Sequence, residues 1–134
     1  MVYIARGGVH LRVVRRGDAV ELVLDDGPLV HSVKPAVDVL FKSAAEVWGG
    51  RALAVVLTGM GVDGLDGCRL LATAGATIMV QDQDSSTVWG MPGAVARNGL
   101  ADLVGPPEAL ASAISHRLLA TLRPQVEASH VPHE

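Results

Sequence analysis

The chain has almost no aromatic residues: one Phe, one Tyr and two Trp in 134 positions. Its core must therefore be packed from Val, Leu, Ala and Ile, a composition that suits the buried strands of a parallel sheet. One domain of this length buries roughly two-thirds of the surface its unfolded chain exposes. A single cysteine, Cys68, excludes an internal disulfide and fits a reducing cytoplasm. Cys68 falls inside an apolar helical pattern, so a buried thiol is expected rather than a nucleophile. No basic stripe offsets the net charge of −3, which argues against a nucleic-acid partner. No apolar run approaches a membrane span and the first residues do not form a secretory signal, so no membrane insertion is expected. The histidines show no metal-ligand spacing; neither a metal nor a cofactor is expected.

What is present is a change of period along the chain. Val2-Tyr3-Ile4-Ala5 reads as a short strand, and His10–Arg15 and Ala19–Leu24 as a hairpin turning at Arg16-Gly17-Asp18. From Pro35 the spacing becomes helical, with Val37, Leu40, Phe41, Ala44, Ala45 and Trp48 on one face and Gly49-Gly50 as the stop. Strand Ala52–Leu57, helix Leu65–Ala74, strand Thr77–Val80, a short helix opened by Pro92, strand Ala101–Val104 and a last helix Pro107–Leu122 follow. Residues 124–134 read as a polar tail behind a domain at 1–123. Alternation of this kind predicts an α/β fold: a doubly wound, mostly parallel sheet with helices on both faces, carrying an antiparallel β hairpin near the N-terminus.

The most informative stretch is Leu57-Thr58-Gly59-Met60-Gly61-Val62-Asp63-Gly64. It is a strand end, a tight glycine turn and a helix start with one acid at the tip, where ligands gather in parallel α/β proteins. Its spacing also reads G-x-G-x-x-G, with Asp82 near the distance expected for a ribose-binding acid. A dinucleotide-binding, Rossmann-like domain is therefore one reading. Against it, Asp63 would set a carboxylate beside the pyrophosphate, and too little chain follows for a second nucleotide-binding half. In a hydrolase, the same acid would bond a histidine Nδ1–H, fix its tautomer and stabilise the imidazolium. A plain structural role, Asp63 capping the helix that follows, stands level with the catalytic one on these residues alone.

Several separated segments share one resemblance. They are Tyr3-Ile4-Ala5 with Gly7 and His10, Asp26-Gly27-Pro28, Pro35-Ala36-Val37-Asp38-Val39-Leu40-Phe41, the glycine turn, Ala74-Gly75 with Thr77-Ile78, Gln81-Asp82, and Gly90-Met91-Pro92. In this order they are similar to the catalytic domain of the CheB chemotaxis protein-glutamate methylesterases, from Val2 to about Leu119. The resemblance implies a Ser-His-Asp triad that hydrolyses γ-glutamyl methyl esters on methylated chemoreceptors, with glutamine deamidation in many members. On it, Asp63 matches the triad acid and Met60 a methionine that lines the site. Thr58, Gly59, Gly61 and Met91 fall beside them as further lining.

The departures also matter. In that family the nucleophilic serine sits in a Gly-Ser turn after the first strand, and the histidine follows the next strand. Both precede the segment that Tyr3 matches, and this chain begins after them. Val62 replaces an asparagine, Arg6 a proline and Ala36 a serine. Ser85 and Ser86 lie in a polar loop with no base at useful spacing; His10 and His31 are expected in the β section, and His116, His130 and His133 on the last helix or tail. Asp38, near a helix start, reads as structural. The expectation is thus a methylesterase domain lacking its first strand-helix-strand portion: either a fragment, or one half of a split enzyme whose serine and histidine come from a separate chain. The rival is a non-catalytic module that binds receptors or self-associates as a homo-oligomer through its open sheet edge.

Overall fold

A computed structural model describes residues 1–122. The hairpin is present: β1 (His10–Arg16) and β2 (Ala19–Asp25) pair antiparallel from His10↔Asp25 to Arg16↔Ala19. Gly17, at φ 60°, supplies the left-handed residue that a two-residue hairpin turn needs. Beyond β2, Asp25 closes the turn by accepting the Gly27 N–H at 2.7 Å. That bond and the Arg12 guanidinium hold the Asp25 carboxyl below the usual carboxylate range.

A second, parallel sheet follows. Its strands β3 (Leu53–Val56), β4 (Thr77–Gln81) and β5 (Leu103–Gly105) lie in the order β3-β4-β5. Helices α1 (Val37–Trp48), α2 (Leu65–Thr73), α3 (Met91–Arg97) and α4 (Pro107–Leu122) alternate with them. Ala54, Val56, Ile78 and Val80 share one cluster with Cys68 and Leu71 of α2 and Val95 of α3. The period of two turns Met79 to the opposite face, where α4 packs on β4 and β5 and buries Leu110. Helices therefore cover both faces of an α/β sheet, as the alternation predicts. No helix among the described residues is long and apolar enough to cross a membrane.

Two expectations need correction. Residues 2–5 form no strand; Val2 and Ile4 are 88% and 91% exposed, because no neighbouring strand pairs with them among the described residues. The apolar stripe of α1 is also only half covered. The fully buried residues of that helix are Asp38 and Ser43, the latter accepting the Val13 N–H at 3.0 Å. Leu40, Phe41, Ala44 and Trp48 instead line an open groove of about 330 Å³ with Leu53 and Ala54. The cause is the outer edge of β3, which has no strand partner among the described residues. Residues 124–134, with His130 and His133, lie outside those residues.

Candidate functional site

The glycine turn leaves β3 at the C-terminal edge of the sheet and is pinned on both sides. Thr58 N–H donates to Gln81 Oε1 at 2.8 Å, and Thr58 Oγ1 both accepts from Val88 N–H and donates to Val88 O. Gly59 N–H donates to Val88 O at 3.0 Å, while Gly59 O accepts from Gly90 and Met91 N–H at 3.1 and 2.8 Å. Gly90 has to be glycine here, since a Cβ would stand 2.9 Å from Gly59 O and Gly61 N. The approach of two backbones leaves no room for a side chain. Pinned in this way, the turn thrusts Met60 outward at 83% exposure and folds Asp63 inward at 8%. Thr58 and Met91 line a second groove of about 330 Å³ that runs under Val37, Leu40 and Phe41.

Asp63 does cap a helix, but not the one that follows it. Its Oδ2 and Oδ1 accept the N–H groups of Val37 and Asp38 at 2.6 and 2.9 Å, the first two residues of α1. In return Asp38, 1% exposed, reaches from α1 to accept the Gly67 N–H of α2 at 2.7 Å through Oδ1. Each carboxylate thus satisfies the orphan donors of the other's helix. Sequence spacing could not assign these partners, because both caps cross between elements 25 and 29 residues apart. The available signal was an acid flanked by valines at a helix start, which points to a buried partner.

The histidines divide cleanly. His10 is 2% exposed, accepts the Ala36 N–H on Nδ1 at 3.1 Å and donates from Nε2 to Pro28 O at 2.8 Å. Both ring nitrogens are engaged, so it bridges loops and is not free to act as a base. His31 was not singled out by sequence, yet it joins the carboxylates: Nε2 donates to Asp38 Oδ2 at 2.7 Å. It does so from a left-handed backbone, φ 51°, followed by Ser32 at φ 64°. Such conformations are costly for residues with a Cβ and persist only where the surroundings enforce them.

His31, Asp38 and Asp63 offer ligand atoms within 4.8 Å of one another, the one such trio among the described residues. As a metal site it fits poorly. All four carboxylate oxygens already accept an N–H. The same arrangement opposes a dinucleotide: the N–H of α2 that a pyrophosphate would seek is taken by Asp38.

The remaining nucleophiles are unsuited to their supposed chemistry. Cys68 is wholly buried and its thiol is pushed up to about 12, first by burial and then by the Asp38 charge. Ser85 Oγ donates to Asp82 and Ser86 Oγ to the Asp82 carbonyl. No serine hydroxyl bonds a histidine among the described residues.

A parallel sheet covered by helices, with a glycine turn and a buried acid at the C-terminal edge of its strands, defines an α/β domain whose ligand edge is the one this turn occupies. Residues 1–114 match the family model described as CheB methylesterase. The chain belongs to the CheB methylesterase family. It is 51% identical over 110 residues to a protein-glutamate methylesterase/protein-glutamine glutaminase of Nitrobacter hamburgensis, covering 82% of this chain and 29% of that protein. A protein-glutamate methylesterase/protein-glutamine glutaminase 2 of Caulobacter vibrioides is 48% identical over 118 residues, covering 87% of this chain and 34% of the relative. The chain thus spans about a third or less of these curated relatives. The crystal structure of the Thermotoga maritima CheB methylesterase catalytic domain superposes with a TM-score of 0.80 at 36% identity, over 90% of this chain and 61% of that one.

Proposed function

We propose that this chain supplies the acid and one wall of a protein-glutamate methylesterase site, with Asp63 as the acid. The observation that carries the reading is the geometry of Asp63. It is a carboxylate 8% exposed at the sheet's C-terminal edge, locked by two amides at 2.6 and 2.9 Å. A carboxylate oxygen has a further lone pair to offer, so a histidine Nδ1–H can bond it while the amides fix its orientation. In the reaction a serine attacks the γ-glutamyl ester carbonyl as the histidine takes its proton. Methanol then leaves with that proton, and water releases the glutamate by the same steps in reverse. Asp63 keeps the histidine in one tautomer and stabilises the imidazolium. Thr58, Gly59, Met60, Gly61 and Met91 form the wall beside it. The serine and histidine come from chain outside these residues, and the substrate is a methylated chemoreceptor in the cytoplasm. Receptor-glutamine deamidation would proceed through the same acyl-enzyme, with ammonia leaving instead of methanol.

Reconstitution tests the reading. The chain would be mixed with a segment of a family member carrying the Gly-Ser turn and the strand-end histidine, and methanol release from a methylated receptor measured. Release by the mixture and not by either part alone is expected. Release by the chain alone would show that the nucleophile is within it, and a silent but tightly associated mixture would remove the esterase reading. The open edge of β3 and its apolar grooves also suit a self-associating module. A dimer that forms at micromolar concentration and persists with the added segment present would favour that second reading.

A further inference from the structure

We propose that Asp38, anchored by His31, is a positioning residue for Asp63; the proposal rests on Asp63 being the site acid. The amide of Asp38 is one of the two donors that fix the Asp63 carboxylate, at 2.9 Å. The side chain of the same residue is bonded at both oxygens, to Gly67 N–H at 2.7 Å and to His31 Nε2 at 2.7 Å. One residue therefore ties the acid to α1, α1 to the start of α2, and both to the loop before α1. The packing allows little slack. A Cβ at Gly67 would stand 2.4 Å from Phe41 Cβ and 3.1 Å from Asp38 Oδ1. A Cβ at the preceding Gly64 faces Val37 at 3.3 Å from Cγ1. A shift of Asp38 would thus be passed directly to Asp63.

There is also a charge. Asp38 is 1% exposed, and His31 Nε2 is its one side-chain hydrogen-bond partner among the described residues. Beside it lie the Asp63 carboxylate and, from α2, the Cys68 thiol, whose pKa the Asp38 charge helps to raise. A second buried negative charge next to the acid adds to the field that stabilises an imidazolium bonded to Asp63. The strained backbone at His31 and Ser32 supports the same role, since strain is retained where a side chain must be delivered to one place.

The test uses the chain reconstituted with its serine- and histidine-bearing segment, comparing wild type, Asp38→Asn, His31→Gln and Asp63→Asn for methanol release against pH. Asparagine at 38 keeps an oxygen for the Gly67 N–H, so the fold is retained while the charge is lost. Outer-shell partners that orient metal ligands are worth about 10–100-fold in affinity or activity, and the same scale is taken for a partner that orients a triad acid. Asp38→Asn should lower kcat by that factor with KM within about twofold, and His31→Gln by less. In Asp38→Asn the acid limb of kcat/KM should move to lower pH, because a histidine relieved of a neighbouring negative charge holds its proton less tightly. Wild-type kcat and an unmoved acid limb in Asp38→Asn would overturn the proposal and leave Asp38 a plain helix cap. Full release by Asp63→Asn would instead remove the reading of Asp63, and this proposal with it.

Discussion

Replacing Gly67 by alanine sets two effects against each other. Gly67 is the third residue of α2, and a glycine-to-alanine change in a helix gains about 1 kcal/mol from propensity alone. Against this, the new methyl would stand 2.4 Å from Phe41 Cβ, far inside the ~3.5–4.0 Å of a relaxed carbon contact. Overpacking of this kind costs about 1–3 kcal/mol. Relief of the clash moves α1 off α2 and breaks the 2.7 Å bond from Gly67 N–H to the Asp38 carboxylate. A bond to a charged group contributes about 1.5–3 kcal/mol. The sum is a net loss of about 1.5–5 kcal/mol, so sterics should win. Urea unfolding followed by far-UV circular dichroism would show it as a lower midpoint with an unchanged slope. A midpoint equal to or above wild type would refute the close approach of α1 and α2, and with it the reciprocal caps.

The remaining expectations concern the buried polar groups. His10→Ala should cost about 2–4 kcal/mol in the same urea assay, since it opens a cavity and strands the Ala36 N–H and Pro28 O. Cys68 should resist a disulfide reagent at pH 8 until the chain is unfolded. Its thiol, raised from 9.0 to about 12, binds its proton more tightly folded than unfolded, so stability should fall as pH rises from about 9 toward 12. The chain alone should take no label from a fluorophosphonate probe, because Ser85 and Ser86 donate to the Asp82 carboxylate and carbonyl and bond no histidine.

The alternation of periods from Pro35 onward was enough to read the α/β class, and the elements fall within a few residues of the expected bounds. Helical spacing marked α1 and α2 because each presents an apolar stripe. What spacing could not reveal is which stripe finds a cover. The stripe of α1 faces a strand edge with no partner among the described residues and stays half open, while two polar residues of that helix, Asp38 and Ser43, are the buried ones. At the site, Asp63 was legible as an acid set in a glycine turn. Its partners were not, since local sequence favours a cap on the next helix and the tertiary fold directs it to the helix before. His31 left no pattern at all; its contact with Asp38 arises from a loop with two successive left-handed residues, His31 and Ser32, that no spacing announces.

The central claim is that Asp63 is the acid of a methylesterase site. Its most direct measurement is the rate of methanol release from a methylated receptor by the reconstituted mixture, with wild-type chain and with Asp63→Asn. Triad acids changed to asparagine lose about 10⁴-fold in kcat because the histidine takes the wrong tautomer. A loss of that order with association retained is the predicted result; release within a few-fold of wild type would contradict it.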